Sequence, residues 1–274
     1  MDSILVNILI GPAQRAFSFV YLPMHSKVNI LGVQVSSLTN EELLNIILNS
    51  TISKQFLQIA ITPTNSIVAA YKEKGISEIY NRAEIVLCDG MPVKWASHFL
   101  GTPIKERITG LDVLPNLVKL SSEKNFSLFL LGASPGVGNQ LAKVITEQYP
   151  NVTITGIYVP PFMKVFSDEE NQKMVHAVNA SNADIVLVSL TAPKQDIWIA
   201  QNRSALNPAV YIGIGGAFEV MAGLAKRSPI WMQNTGLEWL YRFIQEPKRL
   251  FRRYFIEAPV FIPLVIKQKF GLLK

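Results

Sequence analysis

The chain has 274 residues, 49% of them hydrophobic, with 26 Lys and Arg against 20 Asp and Glu, three His and one Cys. That apolar content can bury one large core or two modest ones, and it excludes a disordered chain. The single Cys88 excludes an internal disulfide and fits a reducing compartment, so the cytoplasm is the expected location.

Residues 1–27 are apolar, but Asp2 stands where a signal peptide carries positive charge, and Gly11, Pro12 and Pro23 interrupt the run. This segment reads as an N-terminal extension of unassigned role. From residue 28, helix-length segments at 40–52, 66–74, 112–124, 137–149, 167–180 and 196–202 alternate with apolar runs of strand length at 58–62, 84–88, 127–131, 152–157, 185–189 and 210–214. Strands that are apolar along their whole length and separated by helices predict an α/β fold: a Rossmann-like parallel sheet covered by helices on both faces.

The alternation ends near Ala225, which closes a core domain at 28–225. Residues 226–274 hold ten Lys and Arg against three acids, whereas the first 225 residues hold 16 basic and 17 acidic ones. The net charge of +6 is thus local to a basic C-terminal appendage. Its cations are interleaved with Trp239, Tyr241, Phe243, Phe251, Tyr254 and Phe255, a composition suited to an anionic, partly apolar surface such as a membrane interface or a phosphate-bearing lipid. Nucleic acid is not among the expected partners, and a homo-oligomer stays open. The most apolar stretch of the tail, 258–266, has nine residues and two prolines, too short for a bilayer that needs about 20. The chain is expected to lie on a membrane, not to span one.

In folds of this class the ligand sits beyond the carboxyl ends of the strands. There the sequence places Thr62-Pro63-Thr64-Asn65, Asp89-Gly90-Met91-Pro92, Gly132 to Gly138, Thr191 to Gln195, and Gly213-Ile214-Gly215-Gly216. Small residues let the backbone approach a phosphate, and a helix opening at that point offers free N–H groups, so a nucleotide-type ligand is implied. Each glycine cluster taken alone also reads as a tight βα turn. Asp89 differs in kind: a carboxylate directly after an apolar strand is aimed at the cleft, where desolvation raises its pKa above about 3.9 and fits it to act as a base. Its other reading is the N-cap of the next helix. His25, His98 and His176 form no metal spacing, and no Asp-x-Asp clamp is present, so no metal or cofactor is expected and arginines and backbone amides must serve any phosphate chemistry.

Several separate stretches resemble one family in that family's order. They are Arg-Ile-Thr-Gly-Leu-Asp at 107–112, Pro-Lys-Gln-Asp at 193–196, Gly-Ile-Gly-Gly-Ala-Phe-Glu at 213–219, and above all the tail, with Arg-Ser-Pro at 227–229, Gly-Leu-Glu-Trp-Leu-Tyr-Arg at 236–242 and Glu-Pro-Lys-Arg-Leu-Phe-Arg-Arg-Tyr at 246–254. From about Val28 to Tyr254 the chain is similar to the WecG/TagA/CpsF bacterial glycosyltransferases. The resemblance implies an inverting, metal-independent enzyme of cell-surface polysaccharide synthesis, peripheral on the inner face of the plasma membrane. It would move N-acetylmannosamine, its uronic acid or a glucose-type sugar from a UDP-sugar donor to a polyprenyl-diphosphate-linked acceptor. Asp89 matches the family's proposed general base, and Thr62 and Gln195 match residues that orient donor or acceptor. Many relatives carry Asn two positions after that threonine; here Thr64 occupies the place and Asn65 follows. Asn65, Arg107, Gly132, Gly213, Gly215 and Gly216 complete the expected substrate-binding set in the core. The tail is implied to dock the enzyme on the membrane and to complete the site with arginines: Arg242, Arg249, Arg252 and Arg253 lie at helical spacings, and Arg249 and Arg252 are the ones expected at the diphosphate. Two further readings stay open, a nicotinamide-dependent Rossmann oxidoreductase, for which no complete Gly-x-Gly-x-x-Gly follows the first strand, and a non-catalytic membrane-associated scaffold.

Overall fold

The structure is a computed structural model that describes residues 25–273, the side chain of Arg249 excepted, so the extension at 1–27 lies almost wholly outside the described residues. In chain order the elements are β1 (Lys27–Ile30), β2 (Val33–Ser36), α1 (Asn40–Ile52), β3 (Leu57–Thr62), α2 (Thr64–Lys72), α3 (Lys74–Arg82), β4 (Ile85–Cys88), α4 (Met91–Leu100), α5 (Gly110–Lys124), β5 (Ser127–Gly132), α6 (Val137–Gln148), β6 (Thr153–Tyr158), α7 (Asp168–Ser181), β7 (Ile185–Ser189), α8 (Lys194–Asn202), β8 (Val210–Gly213) and α9 (Ala217–Met221). The tail follows as α10 (Ile230–Asn234), α11 (Glu238–Gln245), α12 (Pro247–Phe251), a π-helical turn Arg252–Glu257, a 3₁₀ turn Ala258–Val260 and α13 (Phe261–Lys269).

Six strands form one parallel sheet in the order β4-β3-β8-β7-β5-β6, and β1 and β2 form a separate antiparallel hairpin. The expected sheet with helices on both faces is what the chain builds. Alternate residues of the central strands feed opposite cores: Leu57, Ile59 and Ile61 of β3 join residues of α1, α5, α6 and α9, whereas Ala60 joins residues of α2, α3, α4 and the hairpin. A third cluster, beneath α7 and α8, takes Val186 and Val188 of β7. Each Leu or Ile so buried contributes roughly 1.5–3 kcal/mol, which is why apolar residues occupy both faces of the central strands.

Sequence and structure part company where apolar periodicity is weak. The hairpin, α3 and α4 were not expected, and the helix predicted at 66–74 runs from Thr64 to Lys72 and stops because Glu73 is extended, with φ −126°. α3 buries a single residue, Tyr80, and so carries little apolar pattern to read. The tail does not hang free. Phe261 and Val265 of α13 enter the core beside α2 and α4, and the Gln268 amide accepts from Leu31 N and donates to Asn29 O, both at 2.8 Å. Among the described residues no helix is long and apolar enough to cross a membrane.

The carboxyl ends of β5 and β7 meet closely. Gly132 has φ +97°, and a Cβ there would stand 2.4 Å from Ser189 O, while Ala133 N donates to that same carbonyl at 2.7 Å. Gly132→Ala combines an unfavourable φ with overpacking against backbone, and is expected to lower unfolding free energy by roughly 2–4 kcal/mol. Urea denaturation of the variant beside wild type checks this through a lower midpoint at unchanged slope.

Candidate active site

The strand ends open into a cleft of about 1500 Å³. Its floor carries Asp89 and Gly213–Gly216, one wall is the loop 159–166 between β6 and α7, and the other wall is the tail, including Trp239, Arg242 and Arg253. Lys194 fixes the loop wall: its Nζ bonds the Met163 carbonyl and lies 3.6 Å over the Phe166 ring.

Asp89 directly follows β4, and its N–H donates to Thr62 O at 3.3 Å. It does not cap α4. The N-cap is Gly90, with φ +94°, and it makes no side-chain cap bond, so the carboxylate is left to the cleft. Burial pushes the Asp89 carboxyl above its ordinary value; Arg253, Arg242 and Arg107 pull it back in that order, and Glu238 pushes it up again. The net shift is upward, as expected of a base held in a cleft. Burial also pushes the neighbouring Cys88 thiol to about 12, so it is a neutral core group and no thiolate nucleophile.

Three arginines therefore surround this carboxylate, one from the core and two from the tail. Arg242 Nη2 stands 2.9 Å from the point a Cβ would occupy on Gly216, which brings α11 down onto the glycine turn after β8. Arg253 comes from the π-helical turn and lines the cleft. Its neighbour Arg252 faces solvent, 80% exposed, and pairs with Glu257 at 3.0 Å, away from the cleft wall. Arg249 belongs to α12, and its side chain lies outside the described residues. The sequence points to Arg249 and Arg252 at the diphosphate, whereas it is Arg253 that lines the cleft.

The remaining expected residues divide between the cleft and the layer beneath it. Arg107, Gly213, Gly215, Gly216 and Gln195 line the cleft. Gln195 is buried, and its Oε1 accepts from Gly215 N at 3.1 Å while Ser189 Oγ donates to Gly215 O at 2.7 Å, so the glycine turn is gripped through both the N–H and the carbonyl of Gly215. Gly132 lies one residue below the lining, which Ala133 supplies. Thr62 is fully buried on the face of β3 that carries Ala60, and Pro63 and Thr64 line the cleft in place of Thr62 and Asn65. Among the described residues no group of three His, Cys, Asp or Glu could hold a metal ion.

Below the glycine turn lies a polar layer that sequence reasoning missed. Asp196 is buried; Tyr80 of α3 donates to its Oδ2 at 3.1 Å, and Gln58 Nε2 donates to its backbone carbonyl at 3.0 Å. The absence of a Cβ at Gly213 admits it, since such an atom would stand 2.5 Å from Gln195 Nε2 and 2.7 Å from Asp196 Oδ1. The residue's place in Pro-Lys-Gln-Asp was the available signal.

A family model described as "Glycosyl transferase WecG/TagA/CpsF family" matches residues 28–274. Curated proteins named N-acetylglucosaminyldiphosphoundecaprenol N-acetyl-beta-D-mannosaminyltransferase are similar to this chain. Those of Staphylococcus aureus strains MRSA252, MW2 and NCTC 8325 / PS 47 are each 28% identical over 246 residues, covering 89% of this chain and 94% of their own length.

Burial pushes the Asp196 carboxyl up to about 8, against roughly 3.9 in the unfolded chain. With the folded value raised, its contribution to stability is full below about pH 4 and is lost as pH rises through about 8. Wild-type unfolding free energy should therefore fall between pH 5 and pH 8, by up to about 1.4 kcal/mol per pH unit from this group. Asp196→Asn should flatten that dependence. Parallel denaturation curves for both proteins over this range are the check, and equal slopes would refute it.

Proposed function

The chain belongs to the WecG/TagA/CpsF family of glycosyltransferases, and on that premise we propose that it transfers a sugar from a UDP-sugar to a polyprenyl-diphosphate-linked acceptor by a single inverting displacement. N-acetylmannosamine is the favoured donor sugar and a lipid-linked N-acetylglucosamine the favoured acceptor, because the Staphylococcus aureus relatives carry that reaction in their names. The observation that carries the reading is the meeting of Asp89 with Arg107, Arg242 and Arg253 in one cleft.

Asp89 acts as general base and takes the proton of the acceptor hydroxyl as its oxygen forms a bond to the anomeric carbon. The bond from that carbon to the β-phosphate oxygen breaks, and UDP departs with the electron pair. Charge growing on the diphosphate is met by guanidinium groups, whose planar forks match phosphate oxygens and which need no reorganisation during reaction. This arrangement supports transfer without a metal ion. The gripped Gly215 turn would hold the donor, with Gln195 as the residue that sets it. Exposed Trp231, Phe255, Ile262 and Ile266, together with Lys267 and Lys269, support docking of the tail on an anionic membrane surface where the lipid-linked acceptor resides.

Asp89→Asn keeps the shape of the side chain and removes its basicity, so turnover should fall roughly 10²- to 10⁴-fold while UDP binding persists. Calorimetric titration with UDP and a mass-spectrometric transfer assay separate the two effects. Wild-type turnover would end the general-base role.

Arg242→Ala and Arg253→Ala should each lower kcat/KM by roughly 10²-fold. Each also removes a positive charge that holds the Asp89 carboxyl down, so the acid limb of the kcat/KM profile should move to higher pH. EDTA should leave wild-type transfer nearly unchanged; loss of most activity, restored by magnesium or manganese, would overturn the metal-independent mechanism.

A further inference from the structure

Two arginines and two carboxylates alternate where the tail meets the core, and each part contributes one of each sign. Arg107 Nη1 donates to Glu238 Oε2 at 3.1 Å, and Arg107 Nη2 lies 3.9 Å from Asp112 Oδ2. Arg227 donates from Nη2 to Asp112 Oδ1 and from Nη1 to Leu111 O at 3.2 Å, and its Nε stands 3.6 Å from Glu238 Oε1. Asp112 is fixed in turn by Thr109, whose N–H and Oγ1 both donate to Oδ2. Burial opposes the Asp112 charge, yet the bonds from Arg227 and Thr109 outweigh it and hold its carboxyl below the usual range.

The members of this ring are not equivalent. Arg107 and Glu238 line the cleft; Arg227 and Asp112 stand behind them. Glu238 Oε1 and Arg227 Nε are buried and have no hydrogen-bond partner in the structure, so the contact between them is a few tenths of an ångström short of closing. Glu238 therefore makes its hydrogen bond to the arginine that faces the reaction. Arg107 carries its Nη1 on Glu238 and its Nη2 near Asp112, so its guanidinium is bracketed at the cleft by one carboxylate from the tail and one from the core.

We propose that Glu238 is a positioning residue of the transfer site: from the tail side it holds the Arg107 guanidinium at the cleft, in place to meet the diphosphate. The proposal rests on the transferase reading. The charged groups facing Asp89 are Arg107 from the core, Arg242 and Arg253 from the tail, and Glu238, which is the negative neighbour. Removing the Glu238 charge and removing the tail therefore displace the Asp89 titration in opposite directions.

The test uses full-length Glu238→Gln and Glu238→Asp, with UDP binding by calorimetry, kcat/KM for a UDP-sugar across pH on a short prenyl-diphosphate-linked N-acetylglucosamine, and hydrogen exchange over residues 238–253. The expected result for Glu238→Gln is a fall of about 10- to 10²-fold in kcat/KM. Its acid limb should move to lower pH, because the Asp89 carboxyl loses the neighbour that raises it, and exchange in the tail should stay protected. Glu238→Asp keeps the charge, so its acid limb should return to the wild-type position with part of the rate recovered. An acid limb that moves to higher pH with loss of protection would mean that Glu238 merely fastens the tail, because Arg242 and Arg253 have then left Asp89; the positioning role falls. A wild-type rate and profile in Glu238→Gln overturns it as well. If wild type itself neither binds UDP nor transfers from any UDP-sugar, the transferase reading fails first and takes this role with it.

Discussion

A carboxylate taken out of water without counter-charges costs several kcal/mol, and one neutralised outright is no base. Asp89 sits between these limits. Its burial is opposed by Arg253, Arg242 and Arg107, and the balance leaves its carboxyl raised but still influenced by three cations. The core alone supplies one of the three. Asp89 thus depends on the tail for two of its three arginine counter-charges, and the tail depends on the core for its place, through Phe261, Val265 and the Gln268 bonds to the hairpin.

Beneath this charged level lies a second one that is almost uncharged. Tyr80, Asp196 and Gln58 come from α3, α8 and β3, and their bonds set the first turn of α8, from which Gln195 reaches Gly215. A protonated Asp196 is suited to this place, since a neutral hydrogen-bonded acid is cheaper to bury than a carboxylate. Charge is kept where it meets ligand and avoided in the floor that must stay rigid.

The parallel sheet and its strand-end turns were legible because the hydrophobic effect writes them as solid apolar runs, Ile185–Ser189 being the plainest. Asp89 was legible because a carboxylate after such a run has few other places to go. Thr62 was not: it stands at a strand end, but the period-two alternation of β3 turns it into the layer under the cleft. In the tail, Arg252 and Arg253 stand three and four residues after Arg249, so an α-helical count puts both on its face and does not choose between them. In the structure Arg253 lines the cleft and Arg252 faces water. The π-helical turn that carries both packs against α2, a tertiary contact that no local pattern records.

The cleft has a consequence for the order of events. At about 1500 Å³ it exceeds the roughly 300–1,000 Å³ that encloses one small ligand. On the transferase reading, donor and acceptor fit together between the loop wall and the tail wall, and the sugar need never be parked on the protein. The neutral Cys88 thiol beside Asp89 would be a poor place to park it in any case. Such a site works through a ternary complex: double-reciprocal plots at several fixed acceptor concentrations intersect instead of running parallel, and departing UDP competes for the ground that the next donor must occupy.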